Sequence, residues 1–345
     1  MFGSDIGIDL GTSSVLIYIK GKGIVLEEPS VVAIEKSDNT VIAVGEKAKK
    51  MIGKAPSNIN VIRPLKDGVI SNYSITEIML KYFINKSIGK QSSRRPKIAI
   101  CVPSQVTEVE KKAVKDATKD AGAREVFVIE EPVAAAIGSG IDISRACGSM
   151  VVDIGAGTTD VAVISLGGSV AKASVRVAGD HFDSAIIKYI KKKYNIIVGE
   201  KTAEKAKIEI GTAYKDSAFA QIDVRGRNIV TGLPSTVTIT SNDLYEALLE
   251  PIDSILATIK GILEITPPEL SADIYERGIV MTGGGSLLYG FDKLIKEKTG
   301  INTVVAEDAI TCVALGTGKY VEYNSKLNKQ NKKFKISNFF RFLKK

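Results

Sequence analysis

Two stretches of the chain combine an aspartate with a run of small residues, which suits the binding of a polyphosphate and a metal ion. The first is Asp9-Leu10-Gly11-Thr12-Ser13-Ser14, and the second is Asp153-Ile154-Gly155-Ala156-Gly157-Thr158-Thr159. Backbone N–H groups in such turns can face a phosphate. Because carboxylates cannot bind phosphate directly, Asp9 and Asp153 predict a cation between them, and Mg²⁺ held through water fits.

Each aspartate ends a strand-like segment, and a second strand-like segment follows each turn. The predicted strands are 4–9 and 15–19 around the first turn, and 150–153 and 160–164 around the second. Either unit alone could be an ordinary turn. Their recurrence predicts two related lobes, each of which contributes one hairpin.

Between the hairpins the chain alternates between strand and helix signals. Residues 97–102 and 126–129 read as strands, and 107–121 as a helix in which Thr107 and Glu110 form a capping box. Glu130-Glu131-Pro132 then opens an Ala-rich helix that ends at Gly138, with proline well placed in its first turn.

The second half continues this alternation. The predicted elements are helices at 183–194, 202–214, 243–263 and 290–298, a strand-rich insert at 219–241, and a strand at 278–282 that runs into Gly283-Gly284-Gly285. Alternating strands and helices predict an α/β protein with mostly parallel sheets in each lobe.

Composition excludes several other kinds of site. The sequence contains neither a Walker A motif nor a dinucleotide fingerprint in a strand-to-helix turn. Cys101, Cys147 and Cys312 are far apart and His181 is the single histidine, so we expect reduced thiols, no zinc site and no Ser-His-Asp triad. No apolar run reaches the roughly 18 residues of a membrane-spanning helix, and no secretory signal is recognisable, so we expect a cytoplasmic protein.

Five segments in this order resemble the actin superfamily, and they are most similar to its bacterial shape-determining family, MreB. The segments are 9–14, 130–138, 153–159, 206–211 and 282–285. The resemblance extends from about residue 4 to 321. It implies an actin-like two-lobed ATPase fold, with a duplicated core of mixed sheets flanked by helices.

The resemblance also implies a role for each matching residue. Residues implied to hold the phosphates and the rest of ATP are Gly11, Thr12, Ser13, Ser14, Gly155, Ala156, Gly157, Thr158, Thr159, Glu204, Lys207, Gly283, Gly284 and Gly285. Asp9 and Asp153 would hold hydrated Mg²⁺, and Glu131 with Thr158 would orient the attacking water. Phosphoryl transfer depends mainly on such positioning and on charge stabilisation.

Other interpretations of single residues stay open. Glu131 could be an acid at a helix start that faces the helix dipole. Glu204 and Lys207 could be an i,i+3 surface pair. Ala156 stands where the family usually has a third glycine, and the polar loop 89–95 and the N-terminus lack the apolar residues with which relatives often contact a membrane.

The last residues could provide the missing membrane contact. The net charge is +8, and it is carried by the tail, which has eight basic and no acidic residues after position 323. At helical spacing, Ile336, Phe339, Phe340 and Leu343 share one apolar face. The basic residues Arg341, Lys344 and Lys345 lie beside it. This pattern favours an anionic membrane surface, with a disordered tail, an acidic protein or RNA as alternatives.

The domain boundaries predicted from these patterns are 1–144 for the first lobe and 145–321 for the second, with small subdomains near 32–66 and 180–243. Residues 322–345 form the basic amphipathic tail. The resemblance implies a cytoskeletal ATPase at the inner face of the cell membrane whose partner is itself, in filaments, with no nucleic acid expected. A small-molecule kinase of the same superfamily is the alternative. A chaperone like the 70-kilodalton heat-shock proteins would need a peptide-binding domain after the lobes.

Overall fold

The computed structural model describes residues 5–89, 95–215 and 220–324. The elements of the first half are β1 (Asp5–Leu10), β2 (Ser14–Ile19), β3 (Gly23–Pro29), β4 (Val32–Glu35), β5 (Val41–Val44), α1 (Glu46–Lys49), β6 (Ile59–Ile62), β7 (Leu65–Lys66), β8 (Val69–Ile70), α2 (Tyr73–Ile88), β9 (Lys97–Val102), α3 (Glu108–Asp120), β10 (Glu125–Glu130) and α4 (Glu131–Gly138).

The second half repeats this alternation. Its elements are β11 (Ser149–Ile154), β12 (Thr159–Ser165), β13 (Gly168–Val175), α5 (Gly179–Tyr194), β14 (Ile196–Ile197), α6 (Glu200–Ile210), β15 (Gln221–Asn228), β16 (Pro234–Thr240), α7 (Ser241–Ile265), α8 (Pro268–Arg277), β17 (Ile279–Thr282), a 3₁₀ turn (Gly284–Leu287), α9 (Phe291–Thr299) and β18 (Thr303–Val305). A C-terminal helix covers residues 312–324.

Two five-stranded sheets form a duplicated core. Their strand orders are β10-β9-β1-β2-β3 and β18-β17-β11-β12-β13, so each strand of one sheet has a counterpart in the other. In each sheet a three-stranded antiparallel meander continues into two parallel neighbours. The mixed sheets confirm the fold class, whereas the expectation of mostly parallel sheets was wrong. Tight turns join β1 to β2 and β11 to β12, and a tight turn forces antiparallel pairing.

Besides the two-stranded β7-β8 sheet, two three-stranded sheets accompany the main ones. Their orders are β5-β4-β6, within residues 32–62, and β14-β15-β16, within residues 196–240. These ranges overlap the small subdomains expected near 32–66 and 180–243. The exact lobe boundaries stay a prediction.

Apolar residues form separate cores that correspond to the lobes. One buried cluster joins the first sheet to α2 and α3, and a larger one joins the second sheet to α5, α6, α7 and α9. A third cluster contains Cys101 and Ile129 from the first sheet together with Val151 and Ala162 from the second. The two main sheets are therefore held together by shared apolar packing as well as by chain connections.

Local signals set most helix ends. The capping box of Thr107 and Glu110 begins α3 as predicted, and a second box of Thr240 and Asp243 begins α7. The predicted helix 202–214 is shorter than expected because α6 ends at Ile210. The residues that follow α6 make a β-bridge and backbone hydrogen bonds to the segment at Tyr289, and tertiary pairing there replaces helical bonds.

Helix α5 begins four residues before the predicted start of 183, at Gly179. None of the helices in the described ranges is long and apolar enough to cross a membrane.

Candidate functional site

The two predicted hairpins have the same local geometry. In the β1–β2 turn the N–H of Gly11 donates to the carbonyl of Ser14 at 3.0 Å, and in the β11–β12 turn the N–H of Gly155 donates to the carbonyl of Thr158 at 2.9 Å. A Cβ on Gly11 would lie 2.8 Å from that carbonyl oxygen, and one on Gly155 would lie 3.3 Å from its counterpart. Both turns therefore favour glycine at this position.

The two turns meet across a cleft. A Cβ on Gly157 would lie 2.5 Å from the Thr12 hydroxyl, so the second turn approaches the first closely. The same hydroxyl accepts a hydrogen bond from the N–H of Gly68 at 3.1 Å. Gly68 lies between β7 and β8 with φ 76° and was not predicted as a site residue. The Asp67-Gly68 pair, a common turn signal, could have pointed to this loop.

The cleft has a cavity volume of about 880 Å³. The predicted residues that line it are Asp9, Gly11, Thr12, Ser13, Ser14, Glu131, Asp153, Gly155, Ala156, Gly157, Thr158, Glu204, Lys207, Gly283, Gly284 and Gly285. Thr159 is not among the lining residues, because it is buried and its hydroxyl donates to the carbonyl of Val177 at 2.7 Å. The predicted tail residues Ile336, Phe339, Phe340, Arg341, Leu343, Lys344 and Lys345 lie outside the described residues.

Asp9 and Asp153 occupy equivalent places on β1 and β11. Burial raises the pKa of Asp9 to about 6. Burial, and then repulsion from Asp160 and Asp9, raises the pKa of Asp153 to about 7. Asp9 contacts the thiol of Cys101 at 3.4 Å, whereas Asp153 accepts a hydrogen bond from the hydroxyl of Thr282 at 2.9 Å.

Glu131 is the first residue of α4 and lines the cleft. Burial, followed by the charges of Asp160, Asp153 and Asp9, raises the pKa of Glu131 well above its usual range. The residue does stand in the first turn of a helix, as the alternative interpretation supposed, and it also faces the cleft. Carboxylates that repel one another in this way are typical of functional sites.

Asp160 is a buried carboxylate behind the cleft that sequence reasoning missed. It pairs with Asp153 in the β11–β12 register and is fully buried. One of its oxygens accepts hydrogen bonds from the N–H and the hydroxyl of Ser104, at 2.7 and 2.5 Å. This contact joins the second hairpin to the segment that follows β9 in the first lobe.

The arrangement fits a divalent cation. The buried carboxylate of Asp153 and the half-buried carboxylate of Asp9 line the same cleft, one from each lobe, and loss of hydration is the main cause of the raised pKa of both groups. A cation in the cleft would favour the charged forms of both. No group of three His, Cys, Asp or Glu side chains within the described ranges is arranged to bind a metal directly, and the proposal of water-mediated contact does not require one.

Lys207 joins two helices at one side of the cleft. Its ammonium nitrogen lies 2.9 Å from Asp183 on α5 and donates to the carbonyl of Gly179 at 3.1 Å. Among the described residues, Lys207 therefore forms its ion pair with Asp183. The surface-pair interpretation required a pair with Glu204 instead. Burial raises the pKa of Asp183 to about 6, although the charge of Lys207 opposes this shift.

The glycine run after β17 packs against the end of β11. Gly283 has φ 80°, a conformation that side chains disfavour. A Cβ there would lie 2.3 Å from the carbonyl oxygen of Ile154 and 2.7 Å from Asp153. A Cβ on Gly285 would lie 2.4 Å from the Ile154 side chain. Glycine therefore lets this loop lie beside the second hairpin.

A duplicated mixed-sheet core, with one hairpin from each half facing a common cleft, defines an actin-like protein. The family model described as MreB/Mbl protein matches residues 3–329. The chain therefore belongs to the MreB/Mbl family of cytoskeletal actin-like proteins.

Individual relatives agree with this assignment. The chain is 54% identical over 328 residues to the cell shape-determining protein MreB of Escherichia coli strain K12, covering 93% of this chain and 94% of that protein. It is 51% identical over 330 residues to the cell shape-determining protein Mbl of Bacillus subtilis strain 168, covering 96% of this chain and 99% of that protein. These similarities do not favour the kinase alternative.

Solved structures extend the comparison to the fold. MreB5 of Spiroplasma citri bound to AMPPNP superposes with a TM-score of 0.91 at 39% identity, covering 96% of this chain and 99% of that one. The same protein bound to ADP gives a TM-score of 0.90 at 39% identity, covering 95% and 99%. The MamK double helical filament superposes with a TM-score of 0.80 at 22% identity, covering 93% of this chain and 99% of that one. This similarity concerns the fold.

Proposed function

We propose that this protein binds ATP in the cleft between its lobes, hydrolyses it, and assembles into filaments that depend on the nucleotide. The observation that carries the proposal is the pair of glycine turns that face each other beside the carboxylates of Asp9 and Asp153. Two sets of backbone N–H donors can hold one polyphosphate from both sides. The AMPPNP-bound and ADP-bound forms of Spiroplasma citri MreB5 support binding of an adenine nucleotide.

The phosphates are proposed to lie between the turns Gly11 to Ser14 and Gly155 to Thr159. Thr159 would take part through its backbone, since its hydroxyl already donates to a carbonyl. Glu204 and Lys207 line the cavity near α5 and are proposed to contact the adenosine. The run Gly283 to Gly285 would approach the nucleotide with its backbone, because it carries no side chains.

Asp9 and Asp153 are proposed to hold Mg²⁺ through water. When bound, this ion would neutralise phosphate charge and so favour phosphoryl transfer. The two carboxylates come from different lobes, and a ligand held by both favours the closed cleft.

Glu131 and Thr158 are proposed to position the water that attacks the terminal phosphate. Glu131 can accept a hydrogen bond from that water when its carboxylate is ionised, and Thr158 lies at the end of the facing turn. The nearby carboxylates oppose ionisation of Glu131. A cation between Asp9 and Asp153 would therefore also make Glu131 a better acceptor.

Filament formation is proposed to follow closure of the cleft, and hydrolysis is proposed to follow filament formation and weaken it. The family membership and the filament of the structurally similar MamK support self-association. The names of the bacterial relatives support a role in cell shape. We further propose that the filament lies in the cytoplasm at the inner face of the membrane, bound through the basic tail after residue 323.

Sedimentation and negative-stain microscopy of the purified protein test the central proposal. Mg-ATP, Mg-ADP and nucleotide-free samples are compared at the same protein concentration. Filaments that depend on nucleotide support the cytoskeletal function. A monomer in every condition that still binds ATP contradicts it and would direct attention to transfer of phosphate to a small molecule.

Co-sedimentation with liposomes tests the membrane proposal separately. A chain that ends at residue 324 is compared with the full chain on anionic and on neutral liposomes. We expect the full chain alone to pellet, and only with anionic lipid. Equal pelleting of both chains would exclude the tail as the anchor.

A further inference from the structure

The duplicated core places two side chains at equivalent positions beside the two aspartates. β1 pairs with β9 in parallel, and the register of Ile8 with Ile100 brings Asp9 level with Cys101. β11 pairs with β17 in parallel, with Asp153 level with Thr282. Since β9 and β17 are counterparts in the two sheets, Cys101 and Thr282 hold the same place in their lobes.

Each of these side chains contacts the aspartate beside it. The Cys101 sulfur lies 3.4 Å from Asp9 Oδ1, and the Thr282 hydroxyl lies 2.9 Å from Asp153 Oδ1. Cys101 is 2% exposed and Thr282 is fully buried, whereas both aspartates line the cavity, so each donor approaches its carboxylate from the side away from solvent.

We propose that Cys101 is a positioning residue for Asp9, equivalent to Thr282 for Asp153, and that each orients one carboxylate towards the Mg²⁺ that binds with ATP. The inference rests on the proposed function, because it concerns the same cation. A donor behind a carboxylate fixes its rotamer and leaves its other oxygen to face the cleft. Neither Cys101 nor Thr282 lines the cavity, so neither is a catalytic residue.

The two donors differ in strength, and this predicts an asymmetry between the lobes. A hydroxyl is an ordinary donor, whereas a thiol is a weak one. Asp9 is therefore the less firmly oriented of the two carboxylates. Loss of the thiol should weaken Mg²⁺ binding less than loss of the hydroxyl.

Titration of Mg²⁺ against a bound fluorescent ATP analogue tests this proposal in the full-length chain. The variant Cys101→Ala removes the donor, and Cys101→Ser keeps a donor at the same place. We expect the Mg²⁺ concentration at half-saturation to rise about threefold to tenfold in Cys101→Ala and about tenfold or more in Thr282→Val. Cys101→Ser should restore the wild-type value.

Controls separate orientation from general damage. Affinity for the analogue in EDTA should be unchanged, because the inferred role concerns the cation alone. Cys312→Ala is the matched control, since this thiol is equally buried but donates to the carbonyl of Asp308. If Cys101→Ala proves unstable in a thermal melt, Cys101→Val leaves no cavity and lacks the donor.

The outcomes distinguish two kinds of failure. A wild-type protein whose analogue binding ignores Mg²⁺ contradicts the proposed function itself. A wild type that responds to Mg²⁺, together with a Cys101→Ala protein that responds identically, overturns the role of Cys101. A rise in Cys101→Ser as large as in Cys101→Ala also overturns it, because packing and not donation would then matter.

Discussion

Gly316 in the C-terminal helix packs directly on the backbone of Ala134 in α4. A Cβ on Gly316 would lie 1.8 Å from the Ala134 carbonyl oxygen. One turn away, a Cβ on Gly138 would lie 1.8 Å from the carbonyl oxygen of Cys312. The two helices therefore cross in close contact at small residues. Because α4 begins with Glu131, this crossing also supports one wall of the cleft.

The variant Gly316→Ala should destabilise the protein. The added methyl group cannot fit without separating the helices, and overpacking of this kind costs about 1–3 kcal/mol. Chemical denaturation of the nucleotide-free protein measures the loss. Gly261→Ala is the matched control, since Gly261 lies inside α7 with open space around its added Cβ. We expect that variant to gain up to about 1 kcal/mol, and equal effects at both positions would contradict the proposed crossing contact.

The helix crossing illustrates what the sequence could not provide. The resemblance extends to about residue 321, but the sequence does not show which residue packs against Gly316. The role of Gly138 and Gly316 as contact residues is visible only when the two helices are placed together. Local sequence signals predicted their elements correctly. The two Asp-and-glycine turns and the capping box of Thr107 need only neighbouring residues, and the structure confirms those elements.

Site residues missed by sequence reasoning depend on contacts between distant segments. Asp160 reads as an ordinary strand residue, yet it is buried and bonded to Ser104. Asp183 was not predicted, and it is the partner that holds Lys207. Thr159 fitted the motif, but alternation along β12 turns its side chain away from the cleft.

The variant Glu131→Gln should abolish most hydrolysis while retaining nucleotide binding. The amide removes the carboxylate that is proposed to accept a proton or orient water, and such groups contribute about 10²- to 10⁴-fold to rate. Phosphate release under single-turnover conditions measures the loss. Affinity for ATP should stay equal or rise, since the amide cannot carry a negative charge beside the phosphates.

The neighbouring acid provides the control for this experiment. Glu130 accepts hydrogen bonds from Ser169 and Lys172 on β13, and it does not line the cavity. Glu130→Gln should therefore hydrolyse ATP at a rate close to wild type. Comparable losses of hydrolysis rate in both variants would show that Glu130 and Glu131 support the structure, and that the position of Glu131 in the cleft has no specific role.

The variant Lys207→Met should lower both stability and nucleotide affinity. It leaves Asp183 largely buried without its ion-pair partner, which costs about 1–2 kcal/mol for a pair that keeps some exposure. Denaturation and binding of a fluorescent ATP analogue measure the two effects. Lys205→Met is the matched control, because Lys205 lies on the same helix but is exposed and pairs with Glu209 along it. Nucleotide affinity equally reduced in the control would contradict a specific role for Lys207.

The metal-free protein should lose stability as the pH rises from about 4 to 7. An aspartate whose folded pKa exceeds its unfolded value binds more protons in the folded state between those two values, so the free energy of unfolding falls as pH rises through that window. Asp9, with a pKa of about 6, and Asp153, with a pKa of about 7, both act in this direction, because the ordinary aspartate pKa is 3.8. Asp183, at about 6, adds to the effect.

The variant Asp153→Asn isolates the largest of these contributions. The asparagine amide oxygen can still accept the hydrogen bond from the Thr282 hydroxyl, and the asparagine side chain cannot ionise. We expect its free energy of unfolding in EDTA to exceed that of wild type at pH 8 and to match it near pH 4. Asp142→Asn is the control, because hydrogen bonds from Ser144 lower the pKa of that exposed carboxylate and it titrates below the window. A wild-type stability that stays level from pH 4 to 8, with Asp153→Asn parallel to it, would mean that Asp153 is not held in a desolvated site. The loss of hydration at Asp153 would then no longer explain why a cation should bind in the cleft.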